Sequence, residues 1–228
     1  MGRQVVRSGS RASTRAEGLD SRHSFSYGSA YDPDNTHFGL LLACNEDRLA
    51  AGAGFPPHPH RDIEVVTWVV SGTLRHEDDA GHAGEARPGV VQRMSAGGGV
   101  RHSEHAVGGP AHYVQMWLRP ATFGELPAYD TVPVGPGLTE LTPLRQPDAT
   151  LVAGRLPAGG RATLAPAAYL HLLVVGGALV VGGTPQVDRV VLGPGDALRQ
   201  TDAGPTGVVA HTGTELLAWR MRSGLEVG

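Results

Sequence analysis

Seven of the eleven histidines fall between His58 and His112. Two short clusters among them could do chemistry: His58-Pro59-His60 and His102-Ser103-Glu104. In an extended segment, residues two apart project to the same face. His58 and His60 therefore point together, and so do His102 and Glu104. If the two segments lie side by side in one barrel, three imidazole nitrogens and one carboxylate oxygen converge. That donor set suits a divalent first-row metal such as Fe, Ni, Mn, Co, Cu or Zn. Four protein ligands leave one or two positions open on a five- or six-coordinate ion, as a catalytic site requires. Three buried imidazoles and a buried carboxylate left unpaired would be costly.

Neighbouring residues could support such a site. Glu104 is the first candidate for a catalytic base, able to shift between ligand and proton acceptor. Metal proximity lowers a carboxyl pKa and burial raises it, so the sequence leaves the outcome open. Glu64 is the second candidate. It shares the parity of His58 and His60 and, without a bulge, faces the same interior, where orienting an imidazole is its preferred role. Gln115 either lines the pocket or packs in its strand. Gly97 to Gly99 let the backbone bend sharply before His102. The stretch from His76 to Gly84, with His76, Glu77, Asp78, Asp79 and His82, reads as a solvated hairpin tip rather than a metal site. Cys44 reads as an inert core thiol.

The elements that must position these groups are strands. The chain has 228 residues, 33 of them Gly and 17 Pro, a density of turn signals that argues for many short strands and against a helical bundle. FGLLLAC from Phe38 to Cys44 predicts a buried strand. VVTWVV leads into a turn at Ser71-Gly72, and Val90 to Met94 and Ala111 to Leu118 are further strands. The expected class is all-β.

Composition excludes several functions. The net charge is -3 and only 18% of residues are charged, so no basic field draws nucleic acid or a membrane surface. All 19 basic residues are Arg. Without Lys there is no Walker phosphate loop, no Schiff-base enzyme and no lysine general base. A single cysteine allows no intrachain disulfide and fits a reducing compartment, so a cytoplasmic location is expected. The most apolar run, residues 169–183, is too short and too interrupted to span a bilayer.

The second half weakly repeats the first. Val69-Val70-Ser71-Gly72-Thr73-Leu74 recurs as Val174-Val175-Gly176-Gly177-Ala178-Leu179, and Pro88-Gly89 recurs as Pro194-Gly195. The nearly equal offsets predict an internal duplication. The expected division is an N-terminal barrel over 1–125 with the metal site, residues 1–20 being a loose terminus. A connector over 126–148 and a second barrel over 149–228 follow. Carrying the ligand positions across the repeat lands on Thr163, Ala165, Val208 and Ala210, none a comparable ligand. The second barrel should therefore be a structural partner without metal.

The stretch from Phe55 to Glu64 (FPPHPHRDIE), then Thr67-Trp68-Val69-Val70-Ser71-Gly72, then Met94 to Glu104 (MSAGGGVRHSE), resembles the pirin family of bicupins. So do Ser21 to Asp34 and Gln115-Met116-Trp117-Leu118. The resemblance is strong from about residue 20 to residue 125; beyond that only a general cupin pattern carries over. It implies two antiparallel cupin (jelly-roll) β-barrels in tandem, with metal in the first. It assigns His58, His60, His102 and Glu104 as the ligands, with Fe(II) the first choice of ion. The general cupin second motif has Asn after the His; the departure here, with Glu104 in that stretch, is itself pirin-like.

Pirin-like proteins resemble quercetin 2,3-dioxygenases, in which dioxygen opens the flavonol heterocycle and carbon monoxide leaves. The implied partners are O2 and a small aromatic or chelating substrate. The competing implication is non-enzymatic: a metal or redox sensor that binds a transcription factor or a metabolic enzyme, without contacting nucleic acid directly. A cupin isomerase or sugar-binding protein is a third reading.

Overall fold

The computed structural model describes residues 2–182 and 189–225. The chain is all-β and its sheets are antiparallel. It divides into two compact units. One comprises Arg11–Val134 and Pro143–Pro147; the other takes the rest of the described chain, including residues 2–10. Among the described residues no helix is long and apolar enough to cross a membrane.

In the carboxy-terminal unit the chain begins with β1 (Arg3–Val6). The amino-terminal unit then contributes β2 (Ala12–Ala16), β3 (Leu19–His23), β4 (Leu41–Leu49) and β5 (Gly54–His60). It continues with β6 (Glu64–Ser71), β7 (Leu74–Asp78), β8 (Ala83–Ala86) and β9 (Val90–Ser95). It ends with β10 (Val100–Ala106), β11 (Ala111–Leu118) and β12 (Ala128–Pro133). Seven strands form a sheet in the order β12-β9-β6-β11-β4-β3-β2, and four form a second in the order β5-β10-β7-β8.

The carboxy-terminal unit adds β13 (Leu138–Leu141), β14 (Ala149–Leu156), β15 (Arg161–Leu164) and β16 (Ala167–Gly176). It closes with β17 (Leu179–Val181), β18 (Val190–Leu192), β19 (Ala197–Ala203), β20 (Thr206–Ala210) and β21 (Thr214–Met221). Its sheets run β1-β19-β16-β21-β14-β13 and β15-β20-β17-β18. The small sheets of the two units have the same strand order, and β9-β6-β11-β4 corresponds to β19-β16-β21-β14. The weak sequence repeat thus marks a repeated topology.

One detail shows why the repeat kept its glycines. Gly72 and Gly177 have φ of 78° and 81°. A Cβ on Gly72 would strike the Pro110 carbonyl, and one on Gly177 would strike that of Gly213. Each marks the crossing between corresponding strands, where only glycine fits.

The interiors differ. In the carboxy-terminal unit Val181 lies opposite Val208. The corresponding pair in the amino-terminal unit is His76 and Glu104. Val181 and Val208 join Leu172, Leu179, Leu192 and Leu198 in one apolar cluster. Each such buried side chain contributes about 1.5–3 kcal/mol. Glu104 corresponds by strand register to Val208, not to Ala210 as equal offsets suggest.

Two stretches differ from expectation. The first residues are paired rather than loose: Arg3–Val6 align with Gln200–Ala197, and β2 pairs with β3. The stretch expected as a connector contains β12, paired with β9, and β13, paired with β14. Pro133 ends an edge strand, a position that tolerates a missing N–H.

Candidate metal centre

Strands β5 and β10 are hydrogen-bonded neighbours, with His58 directly across from His102 and His60 across from Val100. Directly opposed residues share a face. Parity within β5 and opposition across the pair therefore bring His58, His60 and His102 together. One donor nitrogen from each lies within 4.8 Å of the other two. A bulge follows His102, and Glu104 pairs with Phe55 on that side. On the other side β7 places His76 across from Glu104 and Asp78 across from His102. His76, His102 and Glu104 form a second group of close donors, sharing His102 with the first. All three are shut off from solvent, whereas His58 and His60 are half-buried.

His76 does not sit in a solvated hairpin tip as the sequence suggests. It is completely buried and stacks on Tyr129 at 4.6 Å between ring centroids. The tip begins only after Asp78, whose carboxylate accepts from the amides of Ala80 and His82.

Hydrogen-bond partners assign the imidazole protons. His58 Nδ1 lies 2.9 Å from the Pro56 carbonyl oxygen, an acceptor only, so Nδ1 carries the hydrogen and Nε2 keeps its lone pair. His76 Nε2 lies 3.2 Å from Asp78 Oδ2 and donates to it, leaving Nδ1 as an acceptor. His102 Nδ1, 3.2 Å from His76 Nδ1, then donates, and His102 Nε2 keeps its lone pair. The two free lone pairs, on His58 Nε2 and His102 Nε2, are 3.0 Å apart.

Burial, followed by the neighbouring His102 and His58, lowers the His60 pKa to about 4. Burial, followed by His58 and His76, lowers that of His102 to about 3. Both rings are neutral at pH 7. His60 Nε2 is buried with no hydrogen-bond partner. Two lone pairs turned toward one another at 3.0 Å repel unless a cation lies between them. Two nitrogens bound at right angles to one ion at about 2.1 Å are about 3.0 Å apart. The residues present fit a first-row divalent metal.

Glu104 is held from the facing sheet. Its Oε2 accepts from Gln115 Nε2 at 2.8 Å and its Oε1 from Gln92 Nε2 at 3.3 Å. Gln115 Oε1 in turn accepts from Trp117 Nε1 at 3.0 Å. Gln92 and Gln115 belong to a row crossing five strands of the large sheet: His23, Asn45, Gln115, Thr67 and Gln92, each paired with the next. The row presents polar side chains inside the unit, where an apolar core would otherwise form.

Glu64 stands apart from this cluster. Between β5 and β6, Asp62 adopts φ of 50°, which ends the alternation. Glu64 therefore starts a strand of the other sheet, where its Oε2 accepts from the Arg145 amide at 2.8 Å. Burial, only partly offset by hydrogen bonds from Ser95 and the backbone, raises its pKa. Gln92 and His76 are the groups sequence reasoning missed. His76-x-Asp78 carries the same two-residue spacing as His58-x-His60 and was its available signal.

A cavity of about 150 Å³ opens beside the cluster. His58 and Glu104 line it from the small sheet, and Ser21, Asp47, Gln115 and Trp117 from the large one.

Known proteins resemble this chain. The Pirin family model matches residues 5–118. A Mycobacterium tuberculosis protein, named as an assigned rather than demonstrated quercetin 2,3-dioxygenase, is 42% identical over 239 residues. That match covers 97% of this chain and 96% of the relative. The quercetin 2,3-dioxygenase of Escherichia coli K12 is 41% identical over 114 residues, 49% of each chain. The bacterial pirin YhhW of Escherichia coli, crystallised with nickel(II), superposes with a TM-score of 0.88 at 28% identity, covering 97% of this chain and all of that one. On the family match, the near full-length relative and the shared fold together, this chain belongs to the pirin family.

Proposed function

We propose that the protein is a metal-dependent dioxygenase of quercetin 2,3-dioxygenase type, acting on a flavonol or a related chelating substrate with O2. The observation that carries this reading is the convergence of three imidazoles beside a cavity, with the partnerless Nε2 of His60 among them. His58, His60, His102 and Glu104 would hold one divalent ion, with Fe(II) the first choice. The ion would supply Lewis acidity toward a substrate oxygen.

The chain's own residues do the rest. The Asp78–His76–His102 series fixes the tautomer that leaves His102 Nε2 free to bind, and the Pro56 carbonyl does so for His58. Gln92 and Gln115 orient the Glu104 carboxylate toward the cavity. Glu104 is the proposed acceptor of the substrate hydroxyl proton, at Oε1, whose amide contact is the longer of the two. Trp117 and Phe55 wall the cavity with aromatic surface that restricts water.

The test is flavonol absorbance after reconstitution with Fe, Ni, Co, Mn and Cu in turn. Loss of absorbance with at least one metal, abolished by His58→Ala with His102→Ala, supports the reading. No loss with any metal contradicts it.

The cavity volume favours a second reading. Drug-sized ligands occupy pockets of roughly 300–1,000 Å³, well above the 150 Å³ available here. A metal or redox sensor that binds a protein partner needs no room for a three-ring flavonol. It predicts partner affinity that changes with the oxidation state of the ion, without turnover.

A further inference from the structure

A second row of side chains crosses the large sheet beside the one that holds Glu104. Ser21 lies across from Asp47, and Asp47 lies across from Tyr113. Ser21 Oγ donates to Asp47 Oδ1, and the Tyr113 hydroxyl also bonds the carboxylate. Asp47 is only 4% exposed, yet it lines the cavity that His58 and Glu104 line. A carboxylate offers about four lone-pair sites. Two neutral hydroxyls leave acceptor capacity turned toward the cavity.

The remaining walls restrict what can enter. Leu19, Phe55 and Trp117 are apolar or aromatic, Thr14, Tyr27 and Asn45 are neutral and polar, and no Arg is among the lining residues. At the Asp47 end a ligand carboxylate or phosphate would meet that carboxylate with no cationic side chain lining the cavity beside it. An apolar cavity of about 150 Å³ is enough for one benzene ring, so the space beside the cluster seats one ring of a ligand. We propose that Asp47, held by Ser21 and Tyr113, is a specificity-determining residue that accepts a hydroxyl from a neutral, hydroxylated single-ring ligand whose chelating oxygens face the histidine cluster.

This proposal rests on the oxygenase reading for the chelating end of the ligand, but its far end is independent of turnover. Burial raises the Asp47 pKa to about 6; the Ser21 bond lowers it, the Glu104 charge raises it, and the Tyr113 bond and Arg11 lower it. At neutral pH the carboxylate is mostly ionised and suited to a donor rather than an acceptor.

Three single-ring hydroxypyranones test it. Kojic acid, allomaltol and comenic acid share the hydroxy-ketone chelating pair. Across the ring they carry a hydroxymethyl, a methyl and a carboxylate group. Their affinities are measured by calorimetry on the protein as purified with its metal, with metal content checked before and after. Kojic acid should bind at least about tenfold tighter than allomaltol, as a hydrogen bond to a charged partner provides, and comenic acid weakest. Asp47→Asn, checked for an intact melting transition, should shrink that preference below about threefold and leave allomaltol affinity within about twofold. The wild-type ranking needs no variant.

Equal affinities for kojic acid and allomaltol overturn the proposal, as does tightest binding of comenic acid. So does an Asp47→Asn variant that weakens both neutral ligands alike, or failure of all three ligands to bind. If flavonol consumption persists under any of those outcomes, the oxygenase reading stands without it. If the kojic acid preference holds while no substrate is consumed with any metal, the recognition site stands and the oxygenase reading falls.

Discussion

Glu104 lies directly across from His76 on paired strands, and neither side chain reaches solvent. His76 also bridges the Asp78 carboxylate and the far nitrogen of His102. It is a positioning residue: it reaches the candidate metal site through His102 and fixes which nitrogen of that ring is free. Replacing it by Leu keeps the site filled but removes the acceptor for His102 Nδ1–H. His76→Leu should weaken metal affinity by about 10–100-fold, measured by competition with a chromophoric chelator. Affinity within a factor of two of wild type would contradict the assignment.

The glycines at the repeated strand crossings should be irreplaceable. Gly72→Ala and Gly177→Ala each place a Cβ inside a carbonyl oxygen at positive φ. Each should cost about 2–4 kcal/mol and lower the melting temperature by about 5–10 °C. Gly81→Ala has positive φ but open space around its Cβ, so its cost should be about 1 kcal/mol. Equal losses at all three positions would show that contact at the crossings contributes nothing.

Much of this site was legible because strand parity needs no tertiary information. His58, His60, His102 and Glu104 obey it within their own segments, and their segments turned out to be neighbours. Glu64 obeys the same parity on paper, but Asp62 at φ of 50° breaks the extension and sends it to another sheet. His76 was hidden by the Asp-x-Gly turn that follows it. The strand at Arg3–Val6 carried no readable signal, because its partner lies at Ala197–Gln200 and long-range pairing leaves no local pattern. The polar row from His23 to Gln92 was likewise invisible, since its five members come from five strands.

Acid should expose the second charged cluster of the amino-terminal unit. Glu46 accepts from Arg11 at 2.9 Å, Arg48 at 2.8 Å and His112 at 2.9 Å. Burial raises its pKa, but the His112 bond and the Arg11 and Arg48 charges outweigh it and hold the pKa at about 2. A carboxyl held below its ordinary 4.5 contributes stability that is present above pH 4.5 and lost as pH falls toward 2. Glu46→Gln should therefore be less stable than wild type above pH 5 by about 2 kcal/mol, read by denaturant unfolding. The gap should close between pH 4.5 and 2. A gap independent of pH would mean that packing, not charge, sets the loss.

The central claim is that the histidine cluster and Glu104 hold one metal ion, and elemental analysis of the purified protein tests it most directly. Wild type should contain about one first-row transition-metal ion per chain, and His58→Ala with His102→Ala should contain almost none while keeping its β-sheet spectrum. Equal metal content in the two proteins would contradict the account.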